Sequence, residues 1–315
     1  MKNNSPNTNV SLWEAENIND GIFVIDQRKL PFSFETFCIQ SLKDACFAIS
    51  EMLVRGAPLI GITAAYGLYL SSLEIKKSDF KSEIIKAGNT LKSCRPTAIN
   101  LSWAIDRLIK KGLKANNLLI LRRSLLEEAR LMREEDIGCC LKIGEFGVKL
   151  IDELYKKHKR AINILTHCNA GQLACIEHGT ATSPIYQAKK NNIPIHVWVD
   201  ETRPRNQGAK LTAWELSKHN IEHTIITDNA GGYLMQQGMV DMVIVGTDRV
   251  CKNGDVANKI GTYLKALAAF EHKIPFYVAL PSSSIDWSLE EGIQSVPIEK
   301  RANSEILSYD GIVDG

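Results

Sequence analysis
The sequence predicts an α/β protein whose C-terminal half is a parallel sheet with helices on both faces. Three observations carry this. First, short apolar runs in that half each end in a cluster of polar and small residues. Ile162-Asn163-Ile164-Leu165 ends in Thr166-His167-Cys168-Asn169, Ile195-His196-Val197-Trp198-Val199 in Asp200-Glu201-Thr202-Arg203, and His223-Thr224-Ile225-Ile226 in Thr227-Asp228-Asn229. Met242-Val243-Ile244-Val245 ends in Gly246-Thr247-Asp248-Arg249, and Pro275-Phe276-Tyr277-Val278-Ala279-Leu280 in Pro281-Ser282-Ser283-Ser284. Second, helix-like stretches such as 209–220 and 258–272 lie between the runs, and strand alternating with helix reads as a parallel, Rossmann-like sheet. Third, the first 159 residues are mostly helical in period, so a smaller helical N-terminal domain with a short antiparallel β unit precedes the sheet.

Taken in order, residues 1–11 read as a loose polar arm. Gly21-Ile22-Phe23-Val24-Ile25-Asp26 reads as a strand of the antiparallel unit. Leu42, Ala45, Cys46, Ile49, Met52 and Leu53 fall on one helical face. Val54-Arg55-Gly56-Ala57-Pro58 breaks that pattern, and a nearly uncharged helix follows over 59–72, with small residues for close packing. Residues 89–110 form another turn-then-helix unit, with Pro96 at the turn. Residues 117–159 are helical and highly charged; Gly138, Gly144 and Gly147 weaken the pattern and predict a break there. The expected domains are therefore 1–133 (β and helical), 134–159 (connecting helix) and 160–315 (Rossmann-like and catalytic). The end of the chain shows no clear helix or strand.

The chain has 315 residues, with 44% apolar and 23% charged residues and a formal charge of +2. These values suit a globular protein and imply neither a nucleic-acid nor a membrane partner. No apolar run approaches the roughly 20 residues of a membrane span. Residues 1–9 lack the apolar core of a secretory signal. Eight cysteines show neither CxxC pairs nor zinc-ligand spacing, which suggests free thiols in a reducing, cytoplasmic setting.

Ligands of parallel sheets sit beyond the carboxyl ends of the strands, and reactive side chains cluster there. Cys168 follows a strand and precedes a helix-like stretch, where a helix N-terminus favours thiolate; the competing reading is a packed thiol. Asp248 follows an apolar strand, where desolvation would suit a general acid; a helix cap or a partner for Arg249 is about as good a reading. Arg55, Arg95, Arg203 and Arg205 stand beside Gly or Pro at element edges, and such forks fit an anion, with amides at Gly56 and Ala57 as further donors. Gln207, Asn258 and Lys259 lie at loop-to-helix transitions, and Asp200 and Glu201 at a strand end; from position alone, capping or solvation is the better reading of each. His167 adjoins Cys168, but neighbours on a strand point to opposite faces, so a Cys–His dyad is not expected. No GxGxxG, P-loop, HExxH or GxSxG motif is present, and Gly231-Gly232 is a weak signal.

The segments Val54-Arg55-Gly56-Ala57-Pro58, Thr166-His167-Cys168-Asn169-Ala170-Gly171, Asp200-Glu201-Thr202-Arg203-Pro204, Gln207-Gly208-Ala209-Lys210-Leu211-Thr212-Ala213-Trp214-Glu215-Leu216, Asp228-Asn229-Ala230, Gly246-Thr247-Asp248-Arg249 and Asn258-Lys259-Ile260-Gly261-Thr262 resemble the methylthioribose-1-phosphate isomerases, in the same order over about 21–300. That superfamily includes regulatory subunits of the translation-initiation nucleotide-exchange factor, which generally lack the cysteine–aspartate pair. The resemblance implies an aldose–ketose isomerase of methionine salvage. It implies Cys168 and Asp248 as the catalytic pair and Arg55, Gly56, Ala57, Arg95, Gln207, Asn258 and Lys259 as the substrate-binding residues. It also implies a homodimer acting on a small sugar phosphate with no metal or cofactor. The alternatives are a 5-deoxyribose 1-phosphate or related pentose 1-phosphate isomerase, and a non-catalytic regulatory member. The family normally has a further segment past residue 315 that returns to the sheet.

Overall fold
The computed structural model describes residues 10–76, 79–95 and 99–309. The N-terminal unit is a three-stranded antiparallel sheet of β1 (Leu12–Glu14), β2 (Ile22–Ile25) and β3 (Thr36–Ile39), in that order. Of the expected loose arm, residues 1–9 lie outside the described residues, but Ser11 is docked. Its amide donates to the Ile176 carbonyl (2.9 Å) and its hydroxyl to that of Gln172 (2.8 Å). The burial of Val10 and Leu12 on either side holds it there.

Helices α1 (Leu42–Ser50), α2 (Ala57–Glu74), α3 (Phe80–Cys94) and α4 (Ile99–Gly112) pack beside this sheet. Every residue of α2 from Ala57 to Ser72 is buried, as its uncharged sequence requires, and α2 is the centre of the N-terminal core. The turn expected at Pro96 lies outside the described residues.

The expected break in 117–159 does not occur. Helix α5 (Leu118–His158) runs 41 residues without interruption. Two of its glycines serve packing: a Cβ at Gly144 would land on Ser183, and one at Gly147 on Pro184. The close approach of the following helix, α6 (Ser183–Lys190), offsets the helix propensity that the glycines lose. Gly138 differs, because a Cβ there would meet nothing within 4 Å. Gly138→Ala is therefore expected to stabilise the protein by up to about 1 kcal/mol. Gly147→Val is expected to destabilise it by about 1–3 kcal/mol through overpacking. Urea unfolding of the two variants checks the contrast.

The main sheet has five parallel strands in the order β10-β7-β4-β5-β6. They are β4 (Ile162–Thr166), β5 (Ile195–Asp200), β6 (His223–Ile226), β7 (Met242–Val245) and β10 (Phe276–Val278). On one face Ile162, Ile164, Val197, Val199, Met242 and Ile244 pack with Val148 and Ile151 of α5, with α6, and with Leu216 of α7 (Ala213–Lys218). On the other, Leu165, Val243 and Val245 pack with Leu234 and Met235 of α8 (Ala230–Gln236) and Ala269 of α9 (Thr262–Glu271). Alternate residues of β7, like Ile164 and Leu165 of β4, thus feed opposite cores, which is why β7 is apolar throughout. The stretch 209–220 forms a π-helical turn, Gly208–Thr212, running into α7. In the stretch 258–272 the helix begins only at Thr262, leaving 258–261 as a loop. Beyond β7 a small sheet joins β8 (Arg249–Cys251), β9 (Val256–Ala257) and β11 (Ile285–Asp286), and α10 (Ser304–Leu307) follows. Among the described residues no helix is long and apolar enough to cross a membrane.

The chain leaves β4 toward β5 and β6, then returns to place β7 on the other side of β4. The strand order reverses between β4 and β7, and a crevice opens there beyond their carboxyl ends.

Candidate active site
Cys168 stands two residues beyond β4 and Asp248 three residues beyond β7, and these two strands are paired, with Leu165 opposite Val243. Both side chains line one cleft of about 400 Å³. Arg55, Gly56, Ala57, Arg95, Gln207, Asn258 and Lys259 line the same cleft. Residues distant in sequence meet there because α2 points its N-terminus at the switch crevice from the N-terminal lobe.

Cys168 adopts φ +65°, the left-handed region that costs a non-glycine residue about 1–2 kcal/mol. Its backbone is held from both ends. The amide donates to Thr202 Oγ1 (2.8 Å), and the carbonyl accepts from Thr212 Oγ1 (2.7 Å). The helix expected immediately after it is absent: only a 3₁₀ turn, Gln172–Ala174, forms before α6. Buried Glu215, 1% exposed, accepts from the amides of Gln172 (3.0 Å) and Leu173 (2.9 Å) and so caps this turn. With only this short turn on that side, no long helix dipole acts on the thiol.

Asp248 is not a helix cap, since β8 follows it, and its amide donates to the Ala257 carbonyl (3.0 Å). Arg249 is paired with buried Asp286 at 3.0 Å. Asp248 itself is exposed, so burial does not supply the desolvation expected for it.

Arg55 is 8% exposed and grips Asn169: Nη1 donates to Oδ1 (2.7 Å) and Nη2 to the carbonyl (2.8 Å). These bonds use two of the five guanidinium donors. Gly56 (φ +86°) turns the chain into α2 and leaves the amides of its first turn facing the cleft, a favourable place for an anion. Arg95 approaches from the end of α3 and pairs with Glu299 at 3.1 Å. Gln207 is 3% exposed with its Oε1 unbonded, a buried acceptor at the cleft wall. Asn258 donates to Thr262 Oγ1 (3.1 Å), and Lys259 follows on the same loop. Of the arginine group, Arg205 lines the cleft and pairs with Glu305 (2.7 Å). Arg203 does not join it: its guanidinium donates to the Ile306 carbonyl (2.8 Å) and stacks on Tyr309. Residues 296–299, 301, 302, 305 and 306 also line the cleft, so the C-terminal stretch forms one of its walls.

His167 bonds Asp200 Oδ2 through Nδ1 (2.7 Å) and the Ile260 carbonyl through Nε2 (2.7 Å), and no dyad with Cys168 forms. Burial pushes the Asp200 carboxyl up, opposed by the His167 hydrogen bond and by Lys265. Beneath the cleft, Asp136, Cys140 and Cys175 come within 4.8 Å of one another, and burial pushes Asp136 up to about 7. All eight thiols are free.

Residues 53–313 match the model of the Initiation factor 2 subunit family. A methylthioribose-1-phosphate isomerase of Desulfatibacillum aliphaticivorans is 50% identical over 311 residues, covering 97% of this chain and 83% of its own length. Among solved structures, the 5-methylthioribose 1-phosphate isomerase of Pyrococcus horikoshii superposes with a TM-score of 0.82 at 39% identity, over 95% of this chain and 82% of that one. The translation initiation factor eIF-2B subunit delta of A. fulgidus superposes with a TM-score of 0.78 at 38% identity, over 95% and 85%. A family model that matches most of the chain and a relative that shares half of the aligned residues lead to one assignment: the chain belongs to the Initiation factor 2 subunit family.

Proposed function
We propose that the protein is an aldose–ketose isomerase converting 5-methylthioribose 1-phosphate to 5-methylthioribulose 1-phosphate in methionine salvage. The observation that carries the reading is the meeting of Cys168 and Asp248 over a cleft that also holds Arg55 and the N-terminus of α2. The relatives that bear this activity in their names add support.

The substrate carries phosphate on its anomeric oxygen, so its ring cannot open to a free aldehyde. Asp248 is assigned as the acid that protonates the ring oxygen as the bond from carbon 1 breaks. Filling of the cleft by substrate would supply the dry surroundings that an exposed Asp248 lacks. Hydrogen then moves from carbon 2 to carbon 1, either as a proton through an enolate with the Cys168 thiolate as base, or as a hydride within the sugar. Turnover in D2O separates the routes, because an exchanging proton leaves deuterium at carbon 1. Arg55, Arg95, the amides at Gly56 and Ala57, Gln207, Asn258 and Lys259 are assigned to substrate binding, the first four to the phosphate.

Incubation with 5-methylthioribose 1-phosphate should yield the ketose; no turnover by the intact protein would defeat the reading. Relative efficiency on 5-deoxyribose 1-phosphate reports the carbon-5 preference. The A. fulgidus structure, named for a translation factor, favours a second reading, a non-catalytic regulatory protein. Cys168→Ser decides between them, since a regulatory protein tolerates it. A homodimer, a cytoplasmic location, and lobes of 1–133 and 160–315 joined by residues 134–159 belong to the same proposal. Sedimentation measures the first.

A further inference from the structure
We propose that His167 is a positioning residue whose imidazole locks the loop carrying Asn258 and Lys259 to the strand end carrying Cys168. The kinetic part of this inference rests on the isomerase reading; the structural part does not.

The His167 side chain is 0% exposed, and both ring nitrogens are committed at 2.7 Å. The partner of Nε2 is the Ile260 carbonyl, which can only accept, so Nε2 carries a hydrogen. The partner of Nδ1 is Asp200 Oδ2, which also receives the Lys265 ammonium at 3.2 Å. Lys265 is 4% exposed and donates as well to the Asp228 carbonyl. A neutral Asp200 would leave that ammonium buried without a carboxylate. Asp200 is therefore the anion, and Nδ1 is the donor to it.

Every element packed around the ring supplies one member of this group: Asp200 from β5, Lys265 from α9, and Asp228 from the turn after β6, with Oδ1 at 3.9 Å from Nδ1. With an imidazolium at its centre, the group of two cations and two carboxylates is neutral. A metal ion among His167, Asp200 and Asp228 is not needed, because the Lys265 ammonium already contacts Asp200.

The clamp acts on a specific place. Ile260 and Gly261 directly follow Lys259, and Gly261 (φ +102°) is the cap residue just before α9. A Cβ at Gly261 would sit 2.8 Å from the His167 ring carbon Cε1, so ring and loop are in direct packing contact. On its other side His167 is bonded to Cys168, whose backbone, at φ +65° and held by Thr202 and Thr212, fixes where its Cβ stands. One side chain thus sets the distance between the proposed base and the proposed substrate loop. Misplacement by about 1 Å at such a site can cost about 100-fold in rate.

The test has two arms. In 15N NMR of the unliganded wild-type protein, one histidine should show a hydrogen on each ring nitrogen, as the geometry requires, and His167→Gln should remove that signal. A single protonated nitrogen on His167 overturns the charge assignment. In steady-state kinetics, His167→Gln should raise KM about 10-fold or more while iodoacetamide alkylates Cys168 at the wild-type rate. Wild-type KM in His167→Gln overturns the clamp. If the wild-type protein turns over no sugar phosphate, the isomerase reading fails and the NMR arm still stands or falls alone.

Discussion

Cys168→Gly is expected to abolish most turnover and yet to be more stable than Cys168→Ala. Both variants remove the thiol, and on the proton route of the proposed mechanism loss of the general base lowers kcat by about 10²–10⁴-fold. Their stabilities should differ because φ at this position is +65°. Alanine keeps the steric conflict of a Cβ in the left-handed region; glycine relieves it, by about 1 kcal/mol. The order usual in a helix or strand, alanine above glycine, is thus reversed. Urea unfolding of the two variants reads the difference, and alanine as the more stable would show that the backbone is not strained here. A backbone fixed at some cost, by Thr202 on the amide and Thr212 on the carbonyl, is what a reacting side chain requires and a packed thiol does not.

Glu215→Ala is expected to destabilise the protein by about 3–5 kcal/mol, the cost of leaving buried donors without their charged acceptor. Four donors converge on this carboxylate: Asn169 Nδ2 (3.0 Å) and Leu173 N (2.9 Å) on Oε1, and Gln172 N (3.0 Å) and the Tyr186 hydroxyl (2.6 Å) on Oε2. Glu215→Gln keeps one acceptor oxygen and sets an amide N–H against two donors, so an intermediate loss is expected. The damage reaches the site, because Asn169 is also the residue that Arg55 grips. Urea denaturation measures it; a loss below 1 kcal/mol for Glu215→Ala would mean that water replaces the carboxylate.

The sheet was legible in the sequence because its strands are mostly apolar runs that end in abrupt polar clusters. Cys168 and Asp248 stood out for the same reason, since a residue just past a buried strand lies at the sheet's carboxyl edge, and both line the cleft there. The helix expected after Cys168 is only the turn Gln172–Ala174, and the carboxylate that caps it, Glu215, lies some 40 residues later in the chain. The break in α5 was misread because glycines lower helix propensity locally, while the packing of Gly144 and Gly147 on α6 is tertiary. Thr202, Thr212 and Glu215 escaped notice as site residues because each acts through another residue's backbone. Their only signal in the sequence was their place within the segments that carry the family resemblance. Arg203 and Arg205 share the same local context, yet only Arg205 reaches the cleft. Position beside a proline does not determine side-chain direction.

Helix α5 spans about 60 Å at 1.5 Å per residue. Its first half lends Leu121, Leu125, Ala129 and Met132 to one apolar cluster, and its second half lends Val148 and Ile151 to another. Neither cluster can melt without unravelling part of a rod on which the other is built. The two apolar clusters are therefore coupled in unfolding, and a cut between Met132 and Val148 would break that coupling.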